Sequence, residues 1–139
     1  MSDAAPTWNL PEAVGGEAAL RALLTDFYDR LFEDILVGFF FAPHSKSDLI
    51  EHQYNYVCAH LGARGHHVYS GRNMRLAHQH LPILGAHFDR RHVILSQVLE
   101  AHDVPEHVRQ AWLGLDASLR AFIVRTGGAA RQKILAGDD

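Results

Sequence analysis

An all-α fold follows from three observations. Apolar residues recur at helical spacing in four separate stretches. No stretch alternates apolar and polar residues for long enough to make a sheet, and glycine and proline stand at the ends of the periodic stretches. With 139 residues the chain reads as one domain, large enough to bury a core without disulfides.

The elements follow in order. Residues 1–9 are small and polar and are expected to be a loose segment, with the domain over 10–126 and a tail over 127–139. Pro11 can open a short helical turn that Gly15-Gly16 ends. From Glu17, Leu20, Leu23, Leu24, Phe27, Tyr28, Leu31 and Phe32 form one buried helical face. A turn from Asp34 to Gly38 leads into Phe39-Phe40-Phe41, which Pro43 stops. A second helix is expected over Ser47–Leu61, with Ser47 as N-cap, Gly62 as stop, and Leu49, Gln53, Tyr56, Val57 and His60 on its inner stripe. A glycine- and histidine-rich loop over 62–72 precedes a short helix over Asn73–Gln79, limited by Pro82. A long helix over Leu84–His102 turns Phe88, Leu95, Val98 and Leu99 inward. Pro105 begins the last, whose stripe reads Val108, Trp112, Leu115, Leu119, Phe122 before Gly127-Gly128.

Composition excludes several classes. The net charge of -3 gives no electrostatic footing for nucleic acid, and no run of about 18 apolar residues exists to span a membrane. The single Cys58 cannot form an internal disulfide, and Met1-Ser2-Asp3-Ala4 lacks a signal pattern, so a cytoplasmic protein is expected. Cys-x-x-Cys, His-Glu-x-x-His, Gly-x-x-x-x-Gly-Lys and Gly-x-Ser-x-Gly are all missing, which removes most support for structural zinc and nucleophilic catalysis. The 11 histidines are the outlier, and either surface polarity or a metal or haem site accounts for them. His66-His67 and His78-x-His80 are weak metal signals without a carboxylate partner.

Two polar residues interrupt apolar helix faces. Tyr28 lies between Leu24 and Leu31, and Gln53 between Leu49 and Val57. Each alone reads as an ordinary core or stripe-edge residue. A buried polar group left without a partner costs on the order of 1–3 kcal/mol. Together they suggest a polar spot in an apolar pocket, the usual form of a small-ligand site.

At this point the sequence resembles a known family. Gly15-Gly16, Asp26-Phe27-Tyr28-Asp29-Arg30, Phe40-Phe41, His52-Gln53 and Leu61-Gly62, in that order, are similar to the first half of a group I truncated haemoglobin. Tyr69-Ser70-Gly71-Arg72-Asn73-Met74-Arg75-Leu76-Ala77-His78 resembles the segment carrying the proximal histidine, and His87-Phe88-Asp89 the start of the next helix. The resemblance runs from about Leu10 to Ile123 and implies a truncated globin-like two-over-two helical sandwich around haem b, iron protoporphyrin IX. It implies His78 as the iron ligand, an axial imidazole being a standard way to hold haem iron. It implies Tyr28 and Gln53 as the distal donors to bound dioxygen, nitric oxide or carbon monoxide. Phe41 then packs on the porphyrin, and Leu49 stands where a larger globin keeps a distal histidine. Tyr69 and Met74 fall near the haem edge, and Phe88 joins the haem-binding set. His52 takes a position that either pairs with a propionate or binds iron as a sixth ligand.

The pattern departs from the family in places. Ala63 replaces a glycine, and the loop over 63–68 is about two residues longer than in common relatives. Arg91 stands where the family places an apolar residue or tryptophan facing the distal pocket. Because a buried unpaired guanidinium is very costly, either Arg91 meets a propionate or water, or the register slips by one.

The resemblance implies a gas-binding haem protein for storage, delivery or sensing, a monomer or weak dimer. The alternative is an enzyme, a nitric oxide dioxygenase or peroxidase-like protein in which Tyr28 and Gln53 are catalytic. It would need a separate reductase, because the sequence has no flavin or nicotinamide motif. A third class is a histidine-rich metal-binding protein without haem.

Overall fold

The computed structural model describes residues 8–61 and 81–124, apart from the side chain of Phe122. Among the described residues there are helices and no strands: α1 (Leu10–Ala13), α2 (Glu17–Glu33), α3 (Gly38–Phe41), α4 (Lys46–His60), α5 (Gly85–Ala101), α6 (Glu106–Ser118) and α7 (Arg120–Ile123). The four substantial helices expected from periodicity are α2, α4, α5 and α6. The expected loop over 62–72, the short helix Asn73–Gln79, and the stops at Gly62 and Gly127-Gly128 lie outside the described residues.

Local chemistry sets the helix ends. Asn9 caps α1 by accepting from the Glu12 N–H at 3.1 Å, and Pro11 lies in its first turn. Gly15 and Gly16 take φ values of 109° and 116°, a region that side chains disfavour, and so turn the chain sharply into α2. The N-cap of α4 is Ser45 rather than the expected Ser47. Its hydroxyl accepts from the Asp48 N–H, and Ser47 lies inside the first turn. At the start of α5 the His87 ring reaches back, and its Nδ1 accepts from the Leu84 N–H at 3.0 Å. The last helix breaks at Leu119 into α6 and α7.

Long-range ion pairs report how the helices lie. Arg21 meets Glu51 and Lys46 meets Asp29, so α2 and α4 run antiparallel. Asp34 meets Arg90 and Asp26 meets His102, so α2 and α5 are antiparallel too. Helix α6 packs back on α5. Helix α2 thus packs against both α4 and α5, and α5 carries α6. The core between them holds Leu20, Leu23, Leu24, Phe27, Leu31, Val57, Leu95, Val98, Leu99, Val108 and Trp112.

Two stripe assignments are corrected. His60 is exposed and bonds the Tyr56 carbonyl one turn back, whereas Tyr54 and Cys58 are buried beside Tyr56 and Val57. On α6 the inward position after Trp112 is Asp116, and Leu115 is only half-buried. No helix among the described residues is long and apolar enough to cross a membrane.

Candidate functional site

The two polar residues that interrupt apolar stripes are both buried. Tyr28 is 5% exposed on α2 and Gln53 is 7% exposed on α4, two helices that pack against each other. The Gln53 amide is a buried polar group on the face of α4 that otherwise carries apolar residues. Tyr28 sits in an aromatic nest: its ring is edge-on to Phe27 at 5.2 Å and to Phe41 at 6.1 Å between centroids. Phe41 also contacts Phe32 at 5.9 Å, and it is carried by α3, whose Gly38 lies against the end of α2. Leu49 is half-buried against the core one turn before Gln53. Phe88 is buried and stacks on His92 at 6.4 Å. His52 is exposed, one step round the helix from Gln53. His78, Tyr69 and Met74 lie outside the described residues.

Sequence reasoning missed the feature that ties this site together. Arg91 has a protein partner, Asp116, with Nη1 donating to Oδ1 at 2.6 Å. The other oxygen of Asp116 accepts from Nδ1 of His92 at 2.8 Å. Asp116 is 2% exposed and Arg91 15%, so this is a buried ion pair with a histidine attached. The Arg91 guanidinium also lies over the Phe27 ring at 5.2 Å. The available signal was an acidic residue four positions after Trp112, on the same helical stripe.

Electrostatics follow from these contacts. Burial pushes the Tyr28 phenol up from its ordinary value, and the Arg91 charge works against that rise. Burial opposes ionisation of Asp116, but Arg91 and His92 outweigh it and hold the carboxyl below the usual range. For Arg91, burial opposes the charge, and Asp116 and Tyr28 more than restore it, so the guanidinium stays protonated. Tyr28 is therefore a neutral hydroxyl, and Arg91 is a fixed cation held by Asp116.

Among the described residues no cluster of three histidine, cysteine or acidic side chains is arranged to hold a bare metal ion. The donor set suits a different guest. A buried phenol and a buried amide on packed helices, with Phe41 against the phenol ring, match a small polar ligand held by a flat apolar group better than they match direct coordination of a metal. On this ground the residues fit haem with a diatomic ligand.

Comparison with known proteins points the same way. The family profile described as bacterial-like globin matches residues 9–124. The chain is 31% identical over 114 residues to a group 1 truncated hemoglobin of Tetrahymena pyriformis, covering 74% of this chain and 93% of that one. It is 32% identical over 120 residues to a group 1 truncated hemoglobin of Mycolicibacterium paratuberculosis, covering 86% of each. The crystal structure of the Tetrahymena pyriformis truncated hemoglobin in its Fe(III) form superposes with a TM-score of 0.72 at 25% identity, over 83% of this chain and 97% of that one. A 2/2 hemoglobin from a Synechococcus species, in the cyanomet state with covalently attached heme, gives 0.73 at 26% identity, over 82% and 94%.

Proposed function

Because the chain belongs to the bacterial-like globins and folds as a truncated 2/2 hemoglobin, a haem globin, we propose that it binds haem b noncovalently through His78 and holds dioxygen or another diatomic gas with Tyr28 and Gln53. The observation that carries this reading is the buried polar pair, Tyr28 on α2 and Gln53 on α4, with Phe41 edge-on to the Tyr28 ring.

Haem, when bound, supplies a ferrous iron that takes up a diatomic ligand reversibly. The chain does the rest. Phe41, Leu49 and Phe88 offer apolar surface to the porphyrin and keep water from the ligand. A gas ligand that gains negative charge on binding is stabilised by donors already in place, because little water remains to compete with them. Tyr28 can give one O–H and Gln53 two N–H bonds. Tyr69 and Met74 complete the haem edge in this reading. No Cys-x-x-Cys-His is present for attachment through cysteine.

Two measurements test the proposal. The purified protein is expected to show a globin absorption spectrum, with His78→Ala losing haem or changing the ferrous spectrum. An unchanged spectrum would remove His78 from the iron. Tyr28→Phe and Gln53→Leu are each expected to speed dioxygen release about five- to tenfold, the effect of one lost hydrogen bond. Release within a factor of two of wild type in both variants would mean that neither side chain meets the ligand.

A further inference from the structure

Of the five large apolar side chains exposed among the described residues, four share one place. Ile35, Leu36 and Phe39 fall within five consecutive positions at the corner between α2 and α3, and Leu84 stands just before α5. The His87 ring joins the two stretches. It lies 6.0 Å from the Phe39 ring and 4.9 Å from the Phe40 ring, and its Nδ1 accepts from the Leu84 N–H. Phe39 stacks on Phe40 at 4.1 Å, so the surface runs on from the corner to Leu84. Ile35, 99% exposed, is the knob upon it. The corner is firmly held. Asp34 Oδ2 accepts from the N–H groups of Leu36 and Val37 at 3.1 and 3.2 Å, and the Asp34 carbonyl accepts from the Gly38 N–H at 2.9 Å. Asp34 Oδ1 accepts from Arg90 at 2.7 Å. Val37 is buried, so one side chain plugs the turn into the core while Ile35 and Leu36 point outward. An apolar knob on a rigid turn loses little conformational freedom on contact, which favours association.

We propose that a second copy of this chain docks on the corner of Ile35, Leu36, Phe39 and Leu84, in a two-fold contact of weak affinity. The charges at its border favour a copy over other occupants. They come as neutral pairs: Asp34 with Arg90 on one side, and Asp89 with Arg120 on the Leu84 side, where the Arg120 guanidinium fills the space that a Cβ on Gly85 would need. Two such borders meet with no like charge left over, and an acid of one copy can face a base of the other. The chain as a whole carries -3, so copies repel each other through an average face, and an anionic surface finds these two border cations already taken. The area sets the strength. A large aromatic side chain can bury about 150–250 Å², and on that scale the four side chains expose on the order of 400 Å². A standard complex covers about 800 Å² on each partner, and a weak one less than about 600 Å². With its polar border the corner reaches the weak class and falls short of an obligate dimer.

Sedimentation velocity of the full chain, as purified, tests this independently of the gas ligand. Wild type is expected to pass from monomer to dimer with a dissociation constant of about 10 μM to 1 mM. Ile35→Glu is expected to weaken that dimer about tenfold or more, because two carboxylates would be pressed into one apolar contact. I35E/L36Q should leave a monomer throughout. Both side chains project into solvent, so the variants are expected to keep the wild-type unfolding temperature. Ala18→Glu adds the same charge at an exposed position in the first turn of α2, at the far end of that helix from the corner. It is expected to dimerise as wild type does, which separates loss of the knob from added net charge. A wild-type monomer at about 1 mM overturns the proposal, as does a dimer that Ile35→Glu leaves intact, or one that Ala18→Glu weakens equally. Growth beyond the dimer overturns the two-fold contact. Flotation of wild type with phosphatidylcholine vesicles, lost in Ile35→Glu while the protein in solution stays monomeric, would give the corner to a lipid surface and overturn the proposal too.

Discussion

Asp116 keeps its charge in the interior because two donors, on Arg91 and His92, take one oxygen each. Removing one partner of such a pair is far worse than removing both. Arg91→Met alone is expected to destabilise the protein by about 3–5 kcal/mol, and R91M/D116L to recover most of that loss, both read from urea denaturation midpoints. The pair also sets an acid limit. The Asp116 carboxyl is held below its ordinary range in the folded protein, and it returns to about 3.9 when the chain unfolds. Its contribution is complete above the unfolded value and disappears as pH falls through the folded one. Unfolding free energy measured against pH should thus decline below about pH 4, more steeply in wild type than in R91M/D116L. At this scale the sequence was legible where a residue broke a local pattern. Tyr28 and Gln53 stood out against their own helix stripes. Asp116 did not, because the stripe on α6 reads equally well through Leu115, one position away. Arg91 was conspicuous as a cation among inward-facing positions, but its partner lies 25 positions further along the chain, beyond any local pattern.

The element that ties the aromatic nest to the helix layers is α3, and its first residue decides how closely it can approach. A Cβ on Gly38 would stand 2.7 Å from the Phe32 carbonyl oxygen at the end of α2. Backbone cannot yield there as a flexible side chain could. Gly38→Ala is expected to cost about 1–3 kcal/mol and to displace Phe41 from its contacts with Tyr28 and Phe32. Thermal unfolding and haem retention of the variant check both effects, and a variant matching wild type in both would show that α3 adapts freely. Helix spans were readable from the sequence because the helical period is a local property that needs only a dozen residues to show itself. Their ends were less so. Ser45 and Ser47 both qualify as caps by residue type, and the choice depends on where the chain after Pro43 turns extended. Replacement by alanine should separate them, with Ser45→Ala lowering stability by about 1 kcal/mol and Ser47→Ala leaving it nearly unchanged.

At the scale of the whole molecule, α5 and α6 share one buried polar cluster of Arg91, His92 and Asp116, while α2 and α4 carry the buried Tyr28 and Gln53. The outer face of α4 is as informative. His52 is exposed there, about 100° round the helix from Gln53. The ferric protein is accordingly expected to have the same spin state with His52 intact or replaced by alanine. A low-spin spectrum that turns high-spin in His52→Ala would instead make His52 an iron ligand. The fold also carries its own lamp. Trp112 is sealed in the core at 1% exposure, and its indole nitrogen has no hydrogen-bond partner. An indole without water or an acceptor emits at the blue edge of its range, while Trp8, half-buried and edge-on to His107 at the periphery, glows further to the red. Haem absorbs across that blue emission, so a loaded molecule is dark and an empty one bright. The colour and intensity of ultraviolet-excited light from a single native side chain can therefore follow the arrival and departure of the pigment, second by second, in unlabelled protein.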